Sequence, residues 1–320
     1  MADVQNNKTV FMFSGQGSQY YRMGFVLYEQ RSIFKRYMQS MDSIVQELCG
    51  CSVVDELYHQ GRARSESFAR TLFTHPAIFM VEYALAQTLI ESGIEPDLTL
   101  GASLGTFAAA AVSGCLTMEE ALRTVILQAQ LLEKFCAKGA MVAILAQQHV
   151  FNEQALSGIS EIASYNFASH FVVSAKHDRA GEVEGFLRQR QLPFQRLQVS
   201  FAFHSQWIDE ARIPFEAAIN RRPSRPALIP MVCCAESRIL DALPVGHQWA
   251  VARKPIRFQQ TIASLEEGGS YHYIDVGPAG TLATFLKYSL DPSSESTKWP
   301  IMTPFGRELA NIEAVVRERK

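Results

Sequence analysis

The chain has 320 residues, which is enough for one large domain or for a large domain with a smaller one. Hydrophobic residues make up 48% of it, so a sizeable core can form, and the formal net charge is −2. This nearly neutral balance argues against a nucleic-acid-binding protein and against a protein that binds membrane surfaces.

Cysteine spacing and hydropathy argue against zinc-binding, membrane-spanning and secreted proteins. The six cysteines do not form the paired CxxC units of zinc sites, so we expect reduced, buried thiols and no metal. No apolar run reaches the ~20 residues of a membrane-spanning helix. The N-terminus lacks the basic and apolar segments of a secretory leader. We therefore expect a cytoplasmic enzyme.

The beginning of the chain predicts alternating strands and helices. Residues 8–13 (KTVFMF) predict a buried strand that ends at the small-residue turn SGQGSQ. Helices are expected over 29–47 and 76–92, with Pro76 in the first turn of the second. Residues 97–100 predict the next strand.

Two further helices are expected after this second strand. Residues 106–113 predict an alanine-rich helix. Thr117 and Glu120 fit a capping box, in which the threonine side chain and the glutamate side chain satisfy each other's backbone N–H groups. The next helix should therefore begin there and run to about Cys136.

The stretch 140–200 has the rhythm of a separate unit. It predicts short strands at 141–145, 171–175 and 194–199, with a helix near 180–190. Such strands and helices would form a small inserted subdomain.

The alternation of strands and helices resumes from 201, and 273–276 predicts another strand. We therefore assign residues 1–139 and 201–320 to a large α/β subdomain with a mostly parallel sheet. The small subdomain takes residues 140–200.

A candidate nucleophile lies between the second strand and the helix that follows it. Gly101-Ala-Ser103-Leu-Gly105 matches the GxSxG pattern, in which glycines remove clashes around a strained serine. The helix N-terminus would direct backbone N–H groups at a developing oxyanion, with the Leu104 N–H as first donor. An ordinary serine in a tight turn would give the same pattern.

A serine hydroxyl needs a general base to act as a nucleophile at neutral pH. Among the eight histidines, His204 follows the strand-like run 198–203, and α/β enzymes present side chains to a cleft at such strand ends. The alternative is a Ser-Asp-His triad that uses His247 or His272 with a neighbouring aspartate.

Four segments together resemble a known family. In chain order they are residues 13–19 (FSGQGSQ), 101–105 (GASLG), 201–205 (FAFHS) and 275–278 (DVGP). They are similar to motifs of the malonyl-CoA:acyl-carrier-protein transacylases and of the acyltransferase domains of polyketide synthases, and the resemblance covers about residues 9–305. It implies an α/β-hydrolase-like large subdomain, an inserted ferredoxin-like small subdomain, and an acyl site between them.

The resemblance implies a Ser–His dyad rather than a triad. Ser103 would attack a thioester while His204 takes its proton, and Gln16 with the Leu104 N–H would form the oxyanion hole. A backbone carbonyl near Val251, where family members usually carry Asn or Gln, would orient the imidazole. No metal or other cofactor is implied, because the substrate carries its own phosphopantetheine arm.

Departures from the family's motifs concern the substrate. The usual GHSLGE motif has Ala102 and Thr106 here in place of its histidine and glutamate. Malonyl-specific members carry an arginine on the helix after the nucleophile helix, and alignment puts Gln128 at that position. Phe203 and Asn166 are further positions at which the resemblance implies contact with substrate.

Helical periodicity agrees with an inward position for Gln128. It shares one stripe of the predicted helix with residues 121, 125, 132 and 135. An uncharged amide cannot form the charge-assisted fork that arginine makes with a carboxylate. A dicarboxylic acyl group should therefore be a poor substrate.

The sequence thus predicts an acyl hydrolase that removes non-dicarboxylic acyl groups from acyl carrier proteins in polyketide biosynthesis. It resembles the stand-alone proofreading hydrolases of trans-acyltransferase pathways. Two alternatives stay open: an acyltransferase that loads malonyl or unusual acyl units from CoA, and a catalytically inactive docking subunit. The expected partners are acyl carrier proteins and acyl thioesters, with no nucleic acid and no membrane.

Overall fold

The computed structural model describes residues 7–219 and 224–318, in which ten strands form two sheets. In chain order the strands are β1 (Lys8–Phe13), β2 (Leu98–Gly101), β3 (Gly139–Ile144), β4 (Glu161–Phe167), β5 (His170–Lys176), β6 (Phe194–Arg196), β7 (Met231–Cys233), β8 (Arg238–Leu240), β9 (Tyr271–Asp275) and β10 (Thr297–Pro300). The large sheet has the order β10-β9-β1-β2-β7-β8, and only the β7–β8 pair is antiparallel.

Helices cover both faces of the large sheet. In chain order the helices are α1 (Phe25–Gln30), α2 (Ser32–Cys49), α3 (Val53–Leu57), α4 (Thr71–Glu91), α5 (Gly105–Val112), α6 (Met118–Phe135), α7 (Gln154–Ser157), α8 (Ala180–Gln189), α9 (Arg212–Ile219), α10 (His247–Arg253), α11 (Phe258–Glu266), α12 (Thr281–Ser289) and α13 (Glu308–Glu318). Short 3-10 helices lie at Gln148–Asn152 and Gln206–Ala211.

The central strand β1 shows why the sheet has a core on each face. Phe11 and Phe13 pack into the cluster that contains α2, α4, α5 and α6. Val10 and Met12 pack on the opposite face against α11 and α12. A strand of a parallel sheet that is covered on both faces is apolar at successive positions, as this one is.

The small sheet is antiparallel and has the order β4-β5-β3-β6. With helical segments between β3 and β4 and between β5 and β6, the chain order is strand-helix-strand-strand-helix-strand, which is the ferredoxin-like arrangement. Its strands fall between Gly139 and Arg196, where the sequence predicts an insertion. The predicted α/β fold class, with a parallel sheet and a ferredoxin-like unit, is confirmed.

Several local predictions need correction. Helix α4 begins at Thr71, five residues before Pro76, which therefore lies inside the helix. Fifteen of its residues are buried, and this packing outweighs the cost of an internal proline.

The run 198–203 is not a strand, because the chain leaves the small sheet after Arg196. Phe135 is 40% exposed and does not continue the inward stripe of α6.

Other local features agree with the sequence. The Thr117 Oγ1 accepts from the Glu120 N–H at 3.1 Å, and the Glu120 carboxylate accepts from the Thr117 N–H at 2.8 Å, so the capping box of α6 is confirmed. All six cysteines lie in the described residues, where they form no disulfide, and four are buried. In the same ranges, no helix has the length and hydropathy needed to cross a bilayer.

Candidate active site

The nucleophile turn sits where β2 ends and α5 begins. Ser103 has a φ of 54°, in the left-handed region that costs a side-chain-bearing residue energy. A Cβ atom at Gly101 would lie 2.4 Å from the Thr106 Cα, and one at Gly105 would lie 2.3 Å from the Phe13 carbonyl oxygen. Both flanking glycines are therefore required by close backbone approach, as the GxSxG pattern predicts.

Replacing Gly105 by alanine should destabilise the protein severely. Because the contacting atoms are backbone, they cannot rotate away, and overpacking of this kind should cost about 3 kcal/mol in the free energy of unfolding. Gly185→Ala is the matched control: it lies in α8 with nothing within 4 Å of a built Cβ. It should leave stability unchanged or raise it by up to about 1 kcal/mol. Denaturant unfolding of both variants measures this, and equal stabilities would contradict it.

Ser103 and His204 form a hydrogen-bonded pair. The Ser103 Oγ lies 2.8 Å from the His204 Nε2. On the other side of the ring, the Nδ1 lies 2.7 Å from the carbonyl oxygen of Lys254. A carbonyl can only accept, so the Nδ1 carries the proton and the Nε2 is free to accept the serine proton. The predicted nucleophile and base are thus brought together.

The carbonyl that orients His204 belongs to Lys254, so the prediction that placed it near Val251 is wrong. Val251 lies inside α10, whereas Lys254 follows the last helical residue in an extended conformation. The next residue, Pro255, has no N–H and disfavours helix at the residue before it. This leaves the Lys254 carbonyl available. The Ala252 carbonyl also holds the base, by accepting from the His204 backbone N–H at 2.9 Å.

The alternative bases do not take part in this arrangement. The His247 side chain lies 3.5 Å from the Glu236 carboxylate, and the His272 Nδ1 lies 2.7 Å from the Thr297 Oγ1. The Ser103 hydroxyl lies instead against the His204 ring. The geometry therefore favours His204 as the partner of Ser103, with a backbone carbonyl on the other side of its ring; a catalytic dyad stays a prediction.

The turn that follows β1, within the FSGQGSQ motif of residues 13–19, packs directly against the nucleophile turn. β1 and β2 are parallel neighbours with Phe13 opposite Gly101, so the turns after both strands lie at the same sheet edge. A Cβ atom at Gly15 would be 2.9 Å from the Ser103 Cβ and 3.5 Å from the Leu104 nitrogen. This contact brings the Gln16 turn beside the predicted oxyanion donor.

Gln16 uses its side chain elsewhere. Its Nε2 donates to the Thr74 Oγ1 at 2.7 Å. Within the described residues, the backbone N–H groups of Gln16 and Leu104 donate to no protein acceptor. The assignment of an oxyanion hole to these two residues stays a prediction, and the geometry favours the backbone N–H of Gln16 over its side chain.

A buried glutamate that the sequence reasoning missed anchors this turn. The Glu82 Oε1 accepts from both the backbone N–H and the hydroxyl of Ser14, at 2.7 and 2.8 Å. Burial raises the pKa of Glu82 well above its ordinary value. A Cβ atom at Gly277 would lie 2.4 Å from the Ser14 Oγ, so the DVGP motif also closes on this turn. Nothing in the sequence pairs Glu82 with Ser14, because they are 68 residues apart.

A cavity of about 300 Å³ opens beside the dyad. Its wall is largely apolar and combines both subdomains. The apolar lining residues are Ala102, Met141, Ala143, Val172, Leu197, Phe203, Ile256, Phe258, Leu282 and Phe285. Its polar lining residues are serines, threonine, amides and the two histidines His170 and His204. Among the described residues that line it, none is Lys, Arg, Asp or Glu.

Comparison with known proteins decides the family. The sequence profile of the acyl transferase domain matches residues 10–317. The chain belongs to the acyl transferase domain family. It is 41% identical over 311 residues to the polyketide biosynthesis acyltransferase homolog BaeD of Bacillus velezensis, covering 97% of this chain and 96% of that protein. It has the same identity and coverage with PksD, a homolog of the same description from Bacillus subtilis.

Solved structures agree with this family. The acyltransferase domain from the second module of the salinomycin polyketide synthase superposes with a TM-score of 0.85. It is 27% identical in sequence, and the alignment covers 97% of this chain and 72% of that one. The family resemblance read from the four motifs is therefore confirmed.

Of the residues predicted to contact substrate in this acyl transferase domain, three line the cavity and one does not. Ala102, Phe203 and Asn166 line the cavity. Gln128 is buried on α6 but is not among the lining residues, and its Nε2 has no hydrogen-bond partner within the described residues. Contact between Gln128 and an acyl group stays a prediction.

On the acid side, the rate of Ser103 acylation should fall at a pH far below the ordinary pKa of a histidine. Burial lowers the pKa of His204 from 6.5 to about 4, although its bond to the Lys254 carbonyl opposes this. A general base works in its neutral form, so lowering the pKa extends activity to lower pH. The rate of Ser103 acylation should stay level from pH 7 and fall only near pH 4. Stopped-flow acylation, with circular dichroism at each pH, measures this; an inflection near 6.5 in folded protein would contradict it.

Proposed function

We propose that this acyl transferase domain is an acyl hydrolase. It removes neutral acyl groups, by thioester hydrolysis, from the phosphopantetheine arm of acyl carrier proteins in polyketide biosynthesis. The carrier-protein partner and the pathway are inferred from the polyketide names of the BaeD and PksD relatives. The carrier-bound arm supplies the thioester, so no separate cofactor is required.

The proposed preference for neutral acyl groups rests on the uncharged lining of the cavity. A dicarboxylic acyl group would bury its free carboxylate among residues that include no cation, which costs several kcal/mol. Burial lowers the pKa of both His170 and His204 to about 4, so neither supplies a positive charge at neutral pH. Neutral chains gain from the apolar wall instead. The cavity lining, like Gln128, thus offers no positive charge to the free carboxylate of a dicarboxylic acyl group.

The proposed reaction has two steps through one ester. His204 takes the proton of Ser103 as its oxygen attacks the thioester carbonyl, and the backbone N–H groups of Leu104 and Gln16 stabilise the oxyanion. The thiolate leaves and takes the proton from the imidazolium. In the second step, His204 takes a proton from water as the water attacks the ester, and returns it to the Ser103 oxygen as the free acid leaves.

Transfer is the second candidate, because a carrier-protein thiol could replace water in the second step. The named relatives are called acyltransferase homologs, which favours keeping this alternative. An inactive docking role is disfavoured by the 2.8 Å Ser103–His204 pair and its oriented tautomer.

The fate of the acyl group tests the proposal. Butyryl-loaded carrier protein is incubated with the protein and an equal amount of a second, unloaded carrier protein that differs in mass. Intact-mass spectrometry should show free thiol on both carriers and butyric acid in solution. Butyryl on the second carrier would support transfer and contradict hydrolysis. A loaded first carrier that persists, with no adduct on the enzyme, would contradict both.

A further inference from the structure

A polar relay in the cavity wall is not used by the reaction described above. Ser164 and Asn166 on β4 and His170 on β5 all line the cavity. The Ser164 hydroxyl donates to the Asn166 Oδ1, and the Asn166 Nδ2 lies 2.9 Å from the His170 Nδ1. All three belong to the small sheet, whereas Ser103 follows a strand of the large sheet, and the relay and the Ser103–His204 pair line the same cavity.

The relay fixes the protonation pattern of His170. An amide nitrogen is only a donor, so the Nδ1 of His170 must accept from Asn166. In a neutral imidazole, the proton then resides on the Nε2. Burial lowers the pKa of His170 to about 4, which keeps the ring neutral at physiological pH. The Nε2–H is therefore a fixed donor.

This donor lacks an acceptor within residues 7–219 and 224–318. No described residue accepts from the His170 Nε2, and the atom is not among those sealed from solvent without a partner. The ring is held by aromatic contacts, at 5.0 Å from Phe167 and 5.3 Å from Phe285 between ring centroids. Asn166 donates one of its two amide N–H groups to His170 and accepts from Ser164, so both residues hold the ring through the relay. Because His170 lines the cavity, its Nε2–H is a neutral, oriented N–H group at the cavity wall.

We propose that the His170 Nε2–H donates a hydrogen bond to an uncharged oxygen of the thioester substrate and so determines which substrates bind. Two oxygens have the required chemistry: one on the third carbon of the acyl chain, and an amide carbonyl of the pantetheine arm. A neutral donor suits a neutral acceptor, in keeping with the absence of charge along the described lining. Asn166 is then a positioning residue that acts through His170. This inference rests on the proposed function for the thioester class.

Binding is measured separately from turnover, so that failure of one proposal does not hide the other. Ser103→Ala cannot form the ester, and in that background His170→Phe removes the donor but keeps an aromatic ring between Phe167 and Phe285. His170→Gln restores an N–H donor. The Kd is determined for butyryl-pantetheine, 3-oxobutyryl-pantetheine and p-nitrophenyl butyrate, which lacks the arm. The ¹⁵N shifts of the imidazole report the tautomer.

The expected result is a loss of about five- to tenfold in affinity for His170→Phe, the cost of one neutral hydrogen bond, with partial recovery in His170→Gln. A loss limited to the 3-oxobutyryl compound would identify the acyl oxygen as acceptor. An equal loss for both pantetheine compounds, with p-nitrophenyl butyrate unaffected, would identify the arm. Equal effects on all three compounds, no effect on any, or an unprotonated Nε2 would overturn the inference. Failure of wild type to turn over butyryl-carrier protein would reject the proposed function alone.

Discussion

Ser103→Ala should remove the covalent acyl-enzyme and lower turnover of butyryl-carrier protein by about 10⁴-fold or more, because the two-step route has no nucleophile without it. His204→Ala should cost a similar factor, since the two residues act as one unit, and the double variant should be no worse than either single one. Steady-state hydrolysis and intact mass measure both effects.

The control for this series is Ser157→Ala. Ser157 is exposed at the end of α7, and its hydroxyl donates to the Glu153 carbonyl. It should retain full activity and full adduct formation. If Ser103→Ala kept an acyl adduct, the nucleophile would have to lie elsewhere. Losses that simply added up in the double variant would contradict a shared step.

Butyryl-carrier protein should be hydrolysed about 10²-fold faster than malonyl-carrier protein, or more. The reason is the lining of the cavity, in which no described residue offers a cation to the malonyl carboxylate. Leaving such a charge buried and unpaired costs several kcal/mol, and each 1.4 kcal/mol is about tenfold in rate. Initial rates with the two loaded carriers measure the ratio. Equal rates, or faster malonyl hydrolysis, would contradict the proposal.

Gln128→Arg asks whether residue 128 contributes to this selectivity. If its side chain reaches the acyl group, the guanidinium should raise malonyl acylation relative to butyryl. Gln130→Arg makes the same chemical change on the exposed face of the same helix and should leave the ratio unaltered. No change in either variant would leave the uncharged cavity as the whole explanation and would reject a role for Gln128.

Much of this site could be predicted because its residues are constrained locally. Gly101 and Gly105 are required by backbone contacts closer than 3 Å, so the two glycines of the pattern around Ser103 have a local structural cause. The capping box of α6 also depends on residues three positions apart. His204 lies within hydrogen-bond distance of Ser103, as expected, although residues 198–203 before it do not form a strand; the FAFHS motif was the better guide to its position.

The features that were missed depend on contacts between distant segments. The resemblance implies that the carbonyl that orients His204 lies near Val251, and the sequence does not show where α10 ends relative to the ring. The Lys254-Pro255 pair was the available signal for that end. Strand β4 was not predicted: its pairing with β5 has register shifts at Ile162/Ser164 and at Tyr165/Phe167, which break the simple alternation. The relay to His170 was missed with it.

The most direct test of a Ser103–His204 dyad beside an uncharged cavity is a competition for the acyl-enzyme. The protein is mixed briefly with equal amounts of butyryl- and malonyl-pantetheine, quenched with acid, and analysed by peptide mass spectrometry. We expect the butyryl ester on Ser103, no malonyl adduct, and neither adduct in His204→Ala. A malonyl ester on Ser103, or a butyryl adduct on any other residue, would contradict the account.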